Sequence, residues 1–165
     1  MPAKDTTPAA TDANAAKSRT AEAVRAIVFT NRLFEYECRE LGVSLAQYRL
    51  LLYLRHGPKR AGELAAQAAI TRPSLSVLLV ALERAGLIRR SEVEGDGRGV
   101  RLALSRKGLG AIARVEQRFA RVLEEALQGM PSEPLLSLLS QLAYKLTDEV
   151  DARVNAADPF ADRGA

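Results

Sequence analysis

The segment from 61 to 104 constrains the fold more than any other part of the sequence. An apolar-periodic run at 61–68 leads to Thr71-Arg72-Pro73, after which Leu75, Leu78, Leu79 and Leu82 recur at helical spacing. A threonine that can cap free amides and a proline in the first turn mark a helix start, and Gly86 marks its end. Extended runs at 87–93 and 100–104 then flank Glu94-Gly95-Asp96-Gly97-Arg98-Gly99. Val100, Leu102 and Leu104 alternate with Arg101 and Ala103, as expected of a strand with one buried face. A glycine-rich loop between two such runs predicts a β-hairpin. Short helix, tight turn, helix and hairpin, in that order, predict a winged helix-turn-helix.

Longer helices flank this segment. Residues 1–18 are rich in Ala, Thr, Pro and Asp without periodicity, which predicts a disordered tail. A first helix is expected from about 18 to 41, with Val24, Ile27, Val28, Phe34 and Leu41 as a rough apolar stripe and Gly42 as its stop. Ser44 is suited to cap a second helix that ends before Gly57-Pro58. Ser105 is suited to cap a fifth, ending near Gly129, and a leucine-rich sixth is expected from about 132 to 155. That last helix has apolar residues on more than one face, too many to satisfy within one small domain. The expected architecture is mainly α: about six helices plus a two-stranded β-wing. The expected divisions are a tail at 1–18, an N-terminal dimerisation helix at 19–43, a winged domain at 44–108, C-terminal dimerisation helices at 109–157 and a flexible tail at 158–165.

Composition removes several function classes. No apolar run approaches the ~20 residues needed to span a membrane, and no basic-then-apolar leader opens the chain. Cys38 is the single cysteine and His56 the single histidine, so one chain has neither an internal disulfide nor the ligands of a usual zinc site. No cofactor is expected, and the cytoplasm is the expected location. Phosphate-cradling loops, dinucleotide turns and nucleophile elbows are not found, so the chain is not expected to be an enzyme.

The charge points to an anionic partner. The net charge is +4, yet residues 59–107 hold ten basic side chains against five acidic ones. That stretch coincides with the predicted winged domain. A helix fits the major groove of B-form DNA, where base edges present a readable code, and its N-terminal residues reach furthest. Those residues are Thr71, Arg72, Pro73, Ser74, Ser76 and Val77. Arg72 suits guanine or phosphate, the serines donate or accept, and Val77 suits a thymine methyl. Lys59, Arg60, Arg84, Arg89 and Arg90 suit phosphate contacts, which position without reading sequence. In the wing, Arg98 would enter a minor groove, with Asp96 orienting its guanidinium and Arg101 on the following strand.

These pieces resemble the MarR family of bacterial regulators. The similarity is carried by Glu63-Leu64-Ala65, by Thr71-Arg72-Pro73-Ser74-Leu75-Ser76 and by the run from Leu82 to Arg90. It continues through Asp96-Gly97-Arg98 and the run from Val100 to Gly108. Val77 and Val80 stand where the family often has polar residues, and the wing tip holds fewer arginines than is usual. The resemblance implies a homodimer joined through its first, fifth and sixth helices, binding double-stranded DNA at a pseudopalindrome. It also implies a transcriptional regulator, a repressor in the commonest case, released by a small aromatic or phenolic acid.

Phe29 and Arg32 on the first helix, with Tyr48, Arg49 and His56 on the second, are the expected effector contacts. An aromatic wall with an arginine suits a carboxylate on a ring. Core packing for Phe29 and Tyr48, surface ion pairs for the arginines and a helix-end role for His56 fit the same residues. Cys38 allows a redox-sensing alternative, although nothing nearby in sequence must lower its pKa. A dimeric adaptor whose winged domain binds protein is the other alternative.

Overall fold

The computed structural model describes residues 8–92 and 100–157. Among these are six helices and three strands: α1 Pro8–Glu40, α2 Leu45–Arg55, β1 Lys59–Arg60, α3 Ala61–Ala68, α4 Arg72–Arg84, β2 Ile88–Glu92, β3 Val100–Leu104, α5 Arg106–Ala126 and α6 Ser132–Ala157. Apart from β1, the order is that expected from the sequence, and the architecture is a mainly helical winged helix-turn-helix. No single helix among the described residues is long and apolar enough to cross a membrane.

The helix starts follow from capping chemistry. Ser44 accepts from the amide of Gln47, and the Gln47 side chain accepts from the Ser44 amide at 2.8 Å. That reciprocal pair satisfies two amides that the helix leaves free. Thr71 caps α4 and Ser105 caps α5 in the same sense, each accepting from the amide three residues on. Gly42 and Gly86 take positive φ after α1 and α4, a conformation open to glycine without steric cost.

Three expectations need correction. First, α1 begins at Pro8, so residues 8–17, read as disordered tail, are helical. They hold five alanines after an N-terminal proline, and strong helix formers need no apolar stripe to be helical. Second, the wing sheet has three strands in the order β1-β3-β2, all antiparallel. Lys59 pairs with Leu102 and Arg60 with Arg101. Third, β3 does not alternate cleanly: Leu102 and Ala103 are both buried and Val100 is exposed. β3 is the central strand, hydrogen-bonded along both edges, and α2 packs against it. The expected tail at 158–165, the first seven residues and the wing tip with Asp96 and Arg98 lie outside the described residues.

The core belongs to the winged domain. Leu50, Leu51 and Leu54 of α2, Leu64 of α3 and Leu75, Leu79 and Leu82 of α4 are buried together with Leu102, Ile112 and Val115. Leu75, Leu79 and Leu82 stand at i, i+4 and i+7, the spacing that puts one face of α4 against the body. The outer helices are left bare. On α1, Val24, Ile27, Val28 and Phe29 are each more than half exposed, and on α6 Leu138, Leu142, Tyr144 and Leu146 are exposed.

Candidate nucleic-acid interface

Two residues set the turn between α3 and α4. Ala69 caps α3 in the left-handed region at φ 52°, ψ 43°, and its amide returns to carbonyls of α3. Ile70 donates to the Ala65 carbonyl at 3.1 Å. The two helices then differ in direction by 110°, within the range usual for a helix-turn-helix pair. This bend turns the N-terminus of α4 outward. A cavity of about 290 Å³ opens between the starts of the two helices, lined by Ala61, Gly62, Arg72, Leu75 and Ser76.

The outward face of α4 carries most of the expected base contacts. Thr71, Arg72, Pro73, Ser74 and Ser76 are exposed, and Val77 is 71% exposed. Two of these are already engaged. The Thr71 and Ser74 hydroxyls lie 2.9 Å apart, and the Ser74 amide donates to Thr71 Oγ1. Those two side chains start the helix, which leaves Arg72, Ser76 and Val77 as the open groups of the first two turns. Val80, one turn on, is 41% exposed on the same side and was not among the expected contacts.

The flanking cations divide into two groups. Arg84 and Arg89 are exposed, and Lys59 is half-buried at the start of the sheet. Arg60 and Arg101 stand directly opposite each other on β1 and β3. Like charges across a strand pair disfavour each other unless an anion lies between or beside them. Arg90, expected to meet phosphate, is instead bound within the chain. Its Nε donates to Glu83 Oε1 at 2.6 Å and its Nη2 to Oε2 at 3.4 Å, and that carboxylate holds its guanidinium even more firmly protonated than usual. The pair ties β2 to the end of α4.

A second joint fastens α5 to the same place. Ser105 Oγ donates to the Gly86 carbonyl at 2.7 Å, and Lys107 Nζ to the Ala85 carbonyl at 2.8 Å. The Ala85 carbonyl is at the C-cap of α4, where orphan acceptors need partners, and the Gly86 carbonyl follows it. Gly108 sits against the Leu87 backbone so closely that no Cβ would fit.

The expected effector residues are spread over two helices. Phe29 is 67% exposed on α1 and Arg32 is exposed nearby. Tyr48 is buried, its ring edge-on to Phe119 at 5.5 Å, while Arg49 next to it is exposed. His56 occupies the C-cap of α2, as its helix-end reading implied. A cavity of about 480 Å³ at the α1–α2 corner is lined by Glu35, Arg39, Val43, Ser44 and Gln47 among others, and by none of these five.

The junction of α1, α2 and α5 is instead filled by the chain itself. Phe34 stacks on Phe119 with centroids 3.9 Å apart, and Arg55 bridges to Glu116 at 3.0 Å. Burial, with the Glu116 charge adding to it, pushes the Tyr48 phenol up to about 12. Cys38 is fully buried in this junction, and burial pushes its thiol up to about 11. A thiol that is inaccessible and protonated is poorly suited to peroxide chemistry.

An exposed helix N-terminus on an apolar body, followed by a strand wing, defines a winged helix-turn-helix protein. Residues 41–99 match the model of the MarR family. Solved structures agree over most of the chain. NadR in complex with 4-hydroxyphenylacetate is 25% identical, with 89% of this chain and 98% of that one covered at a TM-score of 0.60. The transcriptional repressor CouR, bound to a 23-mer DNA duplex, is 29% identical over 76% of this chain and 89% of its own, at 0.61. The regulator Tm0710 from Thermotoga maritima, 24% identical over 81% and 98%, shares the fold at 0.63. No curated protein matches in sequence. Over residues 41–99 the chain is thus similar to the MarR family, and its fold is that of solved regulators.

Proposed function

We propose that the chain acts as a homodimeric transcriptional repressor, binding a pseudopalindromic duplex and released by a small aromatic or phenolic acid. The observation that carries the DNA reading is the uncovered face of α4, in a domain whose strands carry Lys59, Arg60, Arg89 and Arg101 and whose helix ends in Arg84. Arg72 and Ser76 supply donors to base edges or phosphates there. Arg98, from the segment between β2 and β3, would enter the neighbouring minor groove with Asp96 orienting its guanidinium. CouR, similar in fold and sequence, is a repressor on duplex DNA.

The dimer reading rests on the bare apolar faces of α1 and α6. Contiguous apolar surface of that extent is uncommon on a monomer, and two copies would cover each other's faces isologously. The resulting two reading helices would meet half-sites roughly one helical turn, ~34 Å, apart. For the effector, Phe29 supplies an exposed ring and Arg32 and Arg49 supply carboxylate partners, with Tyr48 and His56 on the adjoining helix. NadR, of similar fold, holds a phenolic acid. A ligand seated between helix layers would favour a spacing of the two α4 helices that no longer matches the grooves.

Equilibrium binding across a salt series tests the proposal. Eight or so phosphate contacts per dimer should weaken binding about 10³–10⁵-fold between about 50 and 200 mM salt. Affinity that ignores salt, or a species that sediments as a monomer at binding concentrations, would oppose it.

A further inference from the structure

We propose that α4 selects its operator by the C5-methyl groups of pyrimidines, through Val77 with Val80 beside it. The inference rests on the DNA-binding reading above and adds what the helix recognises. The sequence of α4 contains no asparagine or glutamine, the side chains that pair bidentately with adenine. Its one carboxylate, Glu83, the type that accepts from cytosine, is held by Arg90. Ser74 is tied to Thr71 by a hydroxyl contact of 2.9 Å. The polar groups left for base edges are Arg72 and Ser76.

Beyond Ser76, the outward surface of this helix before Arg84 is apolar. Val77 is 71% exposed and Val80 41%. Residues three apart on a helix stand about 5–6 Å apart at Cβ, and base pairs rise about 3.4 Å. The two valines therefore span one to two base-pair steps. An apolar side chain carried into the major groove meets one apolar group there, the thymine C5-methyl, because every other edge presents donors and acceptors. The flanking arginines commit this face to a polyanion and not to an apolar protein surface. This face thus supplies both the charge complementarity and the apolar centre that a thymine-bearing half-site requires.

Deoxyuridine tests the assignment, since it removes the methyl and keeps the hydrogen bonds. In a duplex selected by the wild-type protein, each thymine of the half-sites is replaced in turn and affinity is measured by fluorescence anisotropy. At the contacted thymine the wild type should lose about fourfold per half-site, the worth of about one buried methyl-sized group. Changing both half-sites together should cost roughly fifteenfold. Val77→Ala should bind the thymine duplex more weakly and show less than a twofold difference between thymine and uracil there. Val77→Thr, which keeps one methyl, should retain part of the difference. Because Val77 is mostly exposed, these variants stay folded, and their unchanged helical circular dichroism checks that. Tight wild-type binding with uracil neutral at every position overturns this inference alone. So does a selected half-site without thymine. Failure of the wild type to bind any duplex overturns the DNA-binding reading and this inference with it.

Discussion

Replacing Gly108 with alanine should destabilise the protein although it improves helix propensity. Gly108 is the third residue of α5, buried against the strand that begins the wing. A Cβ there would overlap the Leu87 carbonyl oxygen outright and lie 3.0 Å from Leu104 Cδ1. The blocking atoms include backbone, so the first turn of α5 has to move by roughly an ångström, an overpacking cost of about 1–3 kcal/mol. That shift also pulls Ser105 and Lys107 off the carbonyls of Gly86 and Ala85, bonds of 2.7 and 2.8 Å. Two such bonds contribute about 2 kcal/mol. The gain in helix propensity returns about 1 kcal/mol. The net loss is about 2–4 kcal/mol, or roughly 5–15 °C in Tm for a chain of this size. Gly110→Ala in the same helix is the control, because its Cβ would meet only Arg114 Nη1, at 3.6 Å. It should be neutral or up to about 1 kcal/mol more stable. Urea and thermal unfolding at one fixed protein concentration measure both. A Gly108→Ala variant as stable as wild type would refute the close-approach reasoning.

Other predictions follow from single contacts. Ala69→Gly should stabilise by up to about 1 kcal/mol, since it relieves a left-handed alanine at the expense of chain entropy; a lower urea midpoint would count against it. Glu83→Gln should change stability by less than about 1 kcal/mol, because its partner Arg90 is largely exposed. It should also steepen the salt dependence of DNA binding by about one phosphate contact per chain as Arg90 is freed, and an unaltered slope would show that Arg90 stays away from DNA. Cys38 should resist alkylation at pH 8 until the protein unfolds; rapid labelling of native protein would contradict its burial. Both Cys38 and Tyr48 hold their protons more tightly folded than unfolded. Their contribution is therefore intact below pH 9 and is lost as pH rises from 9.0 through about 11 for the thiol and from 10.0 through about 12 for the phenol. Alkaline unfolding that begins well below pH 9 would argue for other groups.

Local chemistry carried most of the fold into the sequence. Ser44, Thr71 and Ser105 cap the helices they were expected to cap, and Gly42 and Gly86 close two of them, because each acts within a few residues of itself. The leucine face of α4 is legible for the same reason. What the sequence hid is either too short or too distant. Two residues, Lys59 and Arg60, are too few to show a strand period, so β1 was invisible until β3 came alongside. The bond between Arg90 and Glu83 crosses the Gly86 turn at a seven-residue separation that no helical rule connects. Tyr48 and Arg49 are adjacent in sequence, but one is buried and the other exposed, since neighbours on a helix face different directions. The alanine-rich start of α1 lacks an apolar stripe, the signal by which helices are read.

In-vitro selection from random duplex DNA with the full chain, at ~0.15 M salt because phosphate contacts make affinity steeply salt-dependent, tests the central claim most directly. A dimer with two outward reading helices predicts an enriched inverted repeat whose half-site centres lie about one helical turn apart. Enrichment of a single unrepeated site, or of no sequence above the starting pool, would contradict it.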